Sequence, residues 1–149
     1  MKLLFVVLIS LFLMGCKTIL SSYVKPQTDN LTEIKLPKST DSTDVLYKIG
    51  ELDEKGCATN FTTVRDSSYS YDEYVPVHAG KGVVLHVNAS TGTLRCRGTK
   101  AMTLEKGKQY EAYILPFPYV CGVFINELND GATGDKVATQ SFYKGCVKN

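Results

Sequence analysis

No tryptophan occurs among the 149 residues, and there are only two histidines, His78 and His86. Few side chains are therefore available for metal ligation or for proton transfer near neutral pH. An excess of one charge is also missing. Seventeen basic against fifteen acidic side chains leave a formal +2, which sets no field that would draw a nucleic acid. Gly-x-Ser-x-Gly, His-Glu-x-x-His and Cys-x-x-Cys do not occur, so a hydrolase elbow, a zincin helix and a cysteine zinc site are all unsignalled. The expectation is a protein that is not an enzyme and holds no metal or cofactor. What is present fits a folded body: 44% of the residues are hydrophobic, too many for disorder, and the length suits one domain.

The apolar run from Leu3 to Met14 is broken only by Ser10 and follows Met1-Lys2. As a helix its twelve residues span about 18 Å, short of the roughly 30 Å hydrocarbon core. A basic residue ahead of a short apolar stretch reads as an export signal. The stretch ends in Leu13-Met14-Gly15-Cys16, which resembles the lipobox of bacterial lipoprotein precursors. The resemblance covers these sixteen residues. It implies a diacylglyceryl group on the Cys16 thiol, cleavage of residues 1–15, and a mature chain that begins at Cys16. Two or three acyl chains make membrane attachment effectively permanent, because each buried methylene contributes about 0.8 kcal/mol. Lys17, where an Asp would mark retention at the inner membrane, implies an outer-membrane anchor facing the periplasm, if the source is Gram-negative.

Setting Cys16 aside leaves Cys57, Cys96, Cys121 and Cys146, an even set in an exported domain and so a disulfide framework. Three connectivities are possible. The expectation is the nested one, Cys96–Cys121 inside Cys57–Cys146.

Residues 16–43 read as a lipidated flexible tether. Nine Ser or Thr lie in 17–43 with two prolines, and as coil 27 residues reach about 30 Å. Within it, Leu31 to Leu36 alternates and forms a candidate first or edge strand. Residues 44–149 read as the folded domain. Segments rich in Val, Ile, Thr and Tyr near 45–50, 58–65, 73–78, 82–88, 93–97, 109–115, 119–127 and 136–144 are separated by Gly, Asn and Asp clusters. No stretch keeps helical periodicity over three turns. The fold class is therefore all-β: a small antiparallel β-sandwich of about eight strands, immunoglobulin- or transthyretin-like, with a small β-barrel as the alternative. Val77–Leu85 and Leu104–Ala112 share a pattern of apolar residue, two residues, Gly-Lys, then strand, as at two similar turns.

A hairpin about Gly80-Lys81 would send His78 and His86 to opposite sides of the sheet. In the strand 93–97, Leu94 and Cys96 read as inward and Arg95 and Arg97 as outward. Asn129 to Asp135 reads as a turn, its oxygens lacking the EF-hand register. Two surface features suggest binding. Arg65, Tyr69, Tyr71 and Tyr74 cluster in the chain, and tyrosine favours interfaces. Arg95 and Arg97, with Lys100, Lys106 and Lys108 following, form a basic stretch suited to an anionic glycan, lipid headgroup or acidic protein. The functional expectation is a lipid-anchored envelope lipoprotein. It would act as a non-catalytic binding or structural accessory, with an envelope protein or glycan as partner and no nucleic acid. An inhibitor of a lytic enzyme such as lysozyme and an envelope hydrolase are the alternatives. The chain lacks the Ser-Gly-x-x-Tyr segment expected of the lysozyme-inhibitor family.

Overall fold

The structure, a computed structural model, describes residues 23–37, 44–65, 73–92, 94–115, 122–143 and 145–147. Among them are eleven strands and no helix, hence no helix long and apolar enough to cross a membrane. The strands are β1 (Leu31–Lys35), β2 (Asp44–Leu52), β3 (Ala58–Arg65), β4 (Tyr74–His78), β5 (Gly82–Thr91) and β6 (Leu94–Thr103). They continue as β7 (Gln109–Leu115), β8 (Gly122–Asn129), β9 (Ala132–Lys136), β10 (Gln140–Tyr143) and β11 (Cys146–Val147). They form two sheets, ordered β4-β1-β7-β8-β9 and β11-β10-β6-β5-β2-β3. Every neighbouring pair is antiparallel except β1 and β7. The expected all-β sandwich is what the chain forms.

Period-two alternation places the core. In β2, Val45, Tyr47 and Ile49 are buried, and in β5 Val83, Leu85, Val87 and Ala89 are. Against them the other sheet turns Ile34, Val75, Val77, Tyr110, Ala112, Val123 and Ile125. A strand whose alternate residues are apolar can bury one face only against a second sheet, and that dictates two layers. The sheets approach closely where β6 crosses β8. A methyl group on Gly98 would lie 2.6 Å from Val123 Cγ2. A second sheet packed that close leaves no room for a side chain there.

The two Gly-Lys fragments are equivalent, with Gly80 at φ +71° and Gly107 at φ +73°. Both carry the chain from one sheet to the other, β4 to β5 and β6 to β7. This corrects the expected β4–β5 hairpin. The turn is held by Ala79 N–H to Asn30 O (2.9 Å) and Gly80 N–H to Leu104 O (2.8 Å), so β4 pairs with β1 and β5 with β2 and β6. A tight hairpin does form at Asp130-Gly131. Both residues have positive φ (52° and 80°), as a two-residue turn matching strand twist requires, and Asn129 faces Ala132.

Three further expectations change. The tether does not extend to residue 43, because β1 lies inside the five-stranded sheet and Ile34 and Leu36 are fully buried. Tyr23 is already attached to the body: its N–H donates to Thr63 O at 3.0 Å, and its hydroxyl donates to Pro76 O. The last expected strand, 136–144, is split between the end of β9 and β10, because β9 belongs to one sheet and β10 joins the other. Leu94 is not inward. It pairs with Thr91 at the mouth of the β5–β6 hairpin, beyond the core row Ala89–Cys96, and is 45% exposed.

Candidate functional site

Cys57 and Cys146 are joined by a disulfide across a sequence separation of 89. Asp53 shapes the β2–β3 turn that presents Cys57, with Oδ1 accepting from the N–H groups of Lys55 (2.9 Å) and Cys57 (2.8 Å). The bridge holds β11 against that turn, alongside Ala58 N–H to Gly145 O and Val147 N–H to Gly56 O. Cys96 is disulfide-bonded too. Its expected partner Cys121, and the expected lipid carrier Cys16, lie outside the described residues.

The outer face of the six-stranded sheet gathers cations that are distant in sequence. Register aligns Leu46, Asn88 and Arg97 in one row and Lys48, His86 and Thr99 in the next. Directly opposed residues on one face stand about 5 Å apart. Arg95 lies one row further out, opposite Ser90, and both arginines are exposed as expected. His86 Nδ1 bonds Thr99 Oγ1 at 2.8 Å, and its ring meets Phe61 edge-on at 6.1 Å between centroids. Partial burial lowers the His86 pKa below its ordinary 6.5, and the positive charges of Lys48 and then Arg97 push it the same way. The face is thus electropositive with a neutral imidazole at its centre. Lys48 was not visible as a member from sequence, because only the β2–β5–β6 register brings it there.

The rest of the basic stretch does other work. Lys108 Nζ sits 3.0 Å from both Glu105 and Glu127, and these two carboxylates, Glu105 first, raise its pKa. Lys100 donates to Ser141 Oγ at 3.3 Å, and Lys106 lies exposed in the β6–β7 turn. Of the tyrosine cluster, Tyr74 is half-buried at the start of β4, opposite Lys35. Tyr69 and Tyr71 lie outside the described residues, and Arg65 is placed only as the end of β3.

A cleft of about 330 Å³ opens where the strap Tyr23–Pro26 crosses the body. Ile49, Val77 and Val83 form its floor, and Glu51, Asn60, Thr62, His78 and Lys81 its polar rim. His78 Nε2 is 3.9 Å from Glu51 Oε1. The two imidazoles serve different surfaces, one at this rim and one on the sheet face. Asn60 has φ +54°, a left-handed conformation unusual for a non-glycine residue. It belongs to a β-bulge: Glu51 pairs with Thr59 and Ile49 with Thr62, so Asn60 and Phe61 together oppose Gly50. A side chain at 50 would strike Thr59 O, 2.7 Å away, and the Phe61 ring. The polar groove beside β7 and β8 is occupied by its own bonds, Gln109 to Glu33 (2.9 Å) and Lys108 to Glu127.

No three His, Cys, Asp or Glu side chains converge among the described residues. The spacing Ser-x-x-Lys occurs at Ser22–Lys25 and Ser141–Lys144, but Ser22 and Lys144 lie outside the described residues. No protein-family model and no curated protein matches this chain.

Proposed function

We propose that the chain is a bacterial lipoprotein precursor. Its mature form begins at Cys16, is held in the envelope by lipid on that cysteine, and displays the β-sandwich as a non-catalytic binding domain. The observation that carries the reading is the run Leu13-Met14-Gly15-Cys16 at the end of a twelve-residue apolar stretch, only seven residues before Tyr23 takes its place on the folded body. The Cys57–Cys146 disulfide supports an oxidising compartment. By the Lys17 resemblance the address is the outer membrane, periplasmic face.

The face carrying Lys48, Arg95 and Arg97 is the surface proposed for an anionic envelope partner, a glycan or an acidic protein. Charged, partly exposed and not part of the cleft, it suits recognition of an extended polyanion better than the enclosure of a small substrate. Two measurements test the reading. The parent chain expressed in bacteria takes up radiolabelled palmitate and partitions with membranes, whereas Cys16→Ala does neither; equal partitioning of both, with no label, overturns it. Arg95→Glu combined with Arg97→Glu loses partners that the parent captures from envelope extract. An unchanged set would remove the binding role from this face.

A further inference from the structure

Two of the three large hydrophobic side chains exposed among the described residues, Val24 (77%) and Phe61 (37%), lie on the strap and on β3. The third, Leu94, is at the far end of β6. Phe61 does not face outward by default: the bulge made by Asn60 in its left-handed conformation directs it onto Gly50 and toward His86. A left-handed non-glycine residue that fixes where a partly exposed aromatic ring sits marks a surface with a use.

The same side is where the chain leaves for Cys16. Tyr23 spans the seam between the sheets, its N–H on β3 at the edge of one and its hydroxyl on β4 at the edge of the other. From Cys16 to Tyr23 are seven residues, which fully extended cover at most about 25 Å. Six strands spaced about 4.8 Å apart are themselves about 24 Å across. A leash of that length rooted at the β3–β4 seam must stretch most of the way to its limit to bring β9 (about 19 Å off) or β11 to the anchor, whereas the seam itself meets the membrane with no extension. Lys25 adjoins Val24 and Lys81 shares the cleft rim, where Glu51 Oε1 stands 3.9 Å from His78 Nε2. Apolar groups flanked by lysines are the composition of a membrane-interfacial surface.

We propose that the side formed by the strap and β3 rests on the phospholipid bilayer that holds Cys16, with Val24 and Phe61 at headgroup level. This orientation rests on the lipoprotein reading above. It leaves the Lys48, Arg95 and Arg97 rows rising from the membrane surface.

The absence of tryptophan makes the test direct. Full-length lipidated protein carrying Val24→Trp, Phe61→Trp or, as control, Thr133→Trp on exposed β9 is reconstituted in phosphatidylcholine vesicles with and without brominated acyl chains. The first two lose about half of their emission or more to the brominated lipid and shift to the blue, as interfacial indoles do; the control does neither. Lipid on Cys16 is confirmed by mass in the same samples. Lipidated protein whose Val24→Trp and Phe61→Trp emission matches the control overturns the orientation alone. Membrane-free protein without lipid overturns the parent reading and this one with it.

Discussion

Removing the Cys57–Cys146 bridge should cost the domain several kcal/mol, and the size of that cost separates two accounts of what the bridge does. The perturbation is Cys57→Ser with Cys146→Ser, so that no lone thiol remains to reshuffle. The closed loop has a sequence separation of 89. On the chain-entropy model a loop of that length restricts the unfolded ensemble by about 4.6 kcal/mol at 25 °C. Were Cys96 bonded to Cys121 inside it, the effective loop would shorten by about 25 residues and the figure would fall by only about 0.3 kcal/mol. For a body of about 125 residues the unfolding entropy near 60 °C is about 0.26 kcal/mol/K, so Tm should drop by about 15–18 °C. Urea melts followed by far-UV circular dichroism, with parent and double variant compared at equal m, measure the free-energy difference directly.

The competing account is local. β11 has two residues and pairs only with β10, apart from its contact with the Cys57 turn. If the bridge merely fastens this short element, its loss lets β11 fray while the sandwich unfolds as before. The Tm would then move by less than about 4 °C, a change worth roughly 1 kcal/mol, and fast amide exchange would be confined to 145–147. That result would refute the claim that the bridge stabilises the whole fold by restricting its unfolded chain.

Two further predictions concern packing and pH. Gly98→Ala puts a methyl group 2.6 Å from Val123 Cγ2, a stiff β-branched side chain in a buried row. It should destabilise by about 1–3 kcal/mol, and Val123→Ala in the same chain should recover part of the loss in a double-mutant cycle; additive costs would show that the sheets do not meet there. His86 has a folded pKa below its ordinary 6.5, from burial first and then Lys48 and Arg97. The unfolded chain therefore binds the proton more readily, and stability falls as pH drops from about 6.5 toward the folded pKa. NMR titration should place the His86 midpoint below that of a histidine in unfolded peptide, and Lys48→Ala should move it upward; a midpoint unmoved by both Lys48→Ala and Arg97→Ala would reject the electropositive face.

The sandwich was legible because period-two burial is written locally: Val45, Tyr47 and Ile49 face one way whatever sheet they enter. Pairing was not legible to the same degree. A β4–β5 hairpin follows from proximity in sequence, yet the Gly80 N–H finds Leu104 O, 24 residues away, and a glycine with positive φ serves an inter-sheet turn as well as a hairpin. The alternation of Leu31 to Leu36 marked a strand, but its position between β4 and β7 depends on partners some 40 and 75 residues distant. Lys48 joins Arg97 on one face through a similar long-range register, so the candidate surface was half visible.

The short leash and the open edge of β3 share one physical cause. An edge strand with free N–H and C=O groups is a template for unwanted pairing, and the strap blunts this one by giving its Tyr23 N–H to Thr63 O. A chain bonded to β3 at Tyr23 and paired within a sheet over Leu31–Lys35 cannot also be slack there, so residues 23–37 belong to the folded body rather than to a spacer. Those Ser- and Thr-rich residues read as a tether because alternation over five positions carries less signal than composition over twenty-seven. Under the lipoprotein reading proposed above, the surface nearest the Cys16 anchor is the one where Asn60, in its left-handed conformation, seats the partly exposed Phe61 ring.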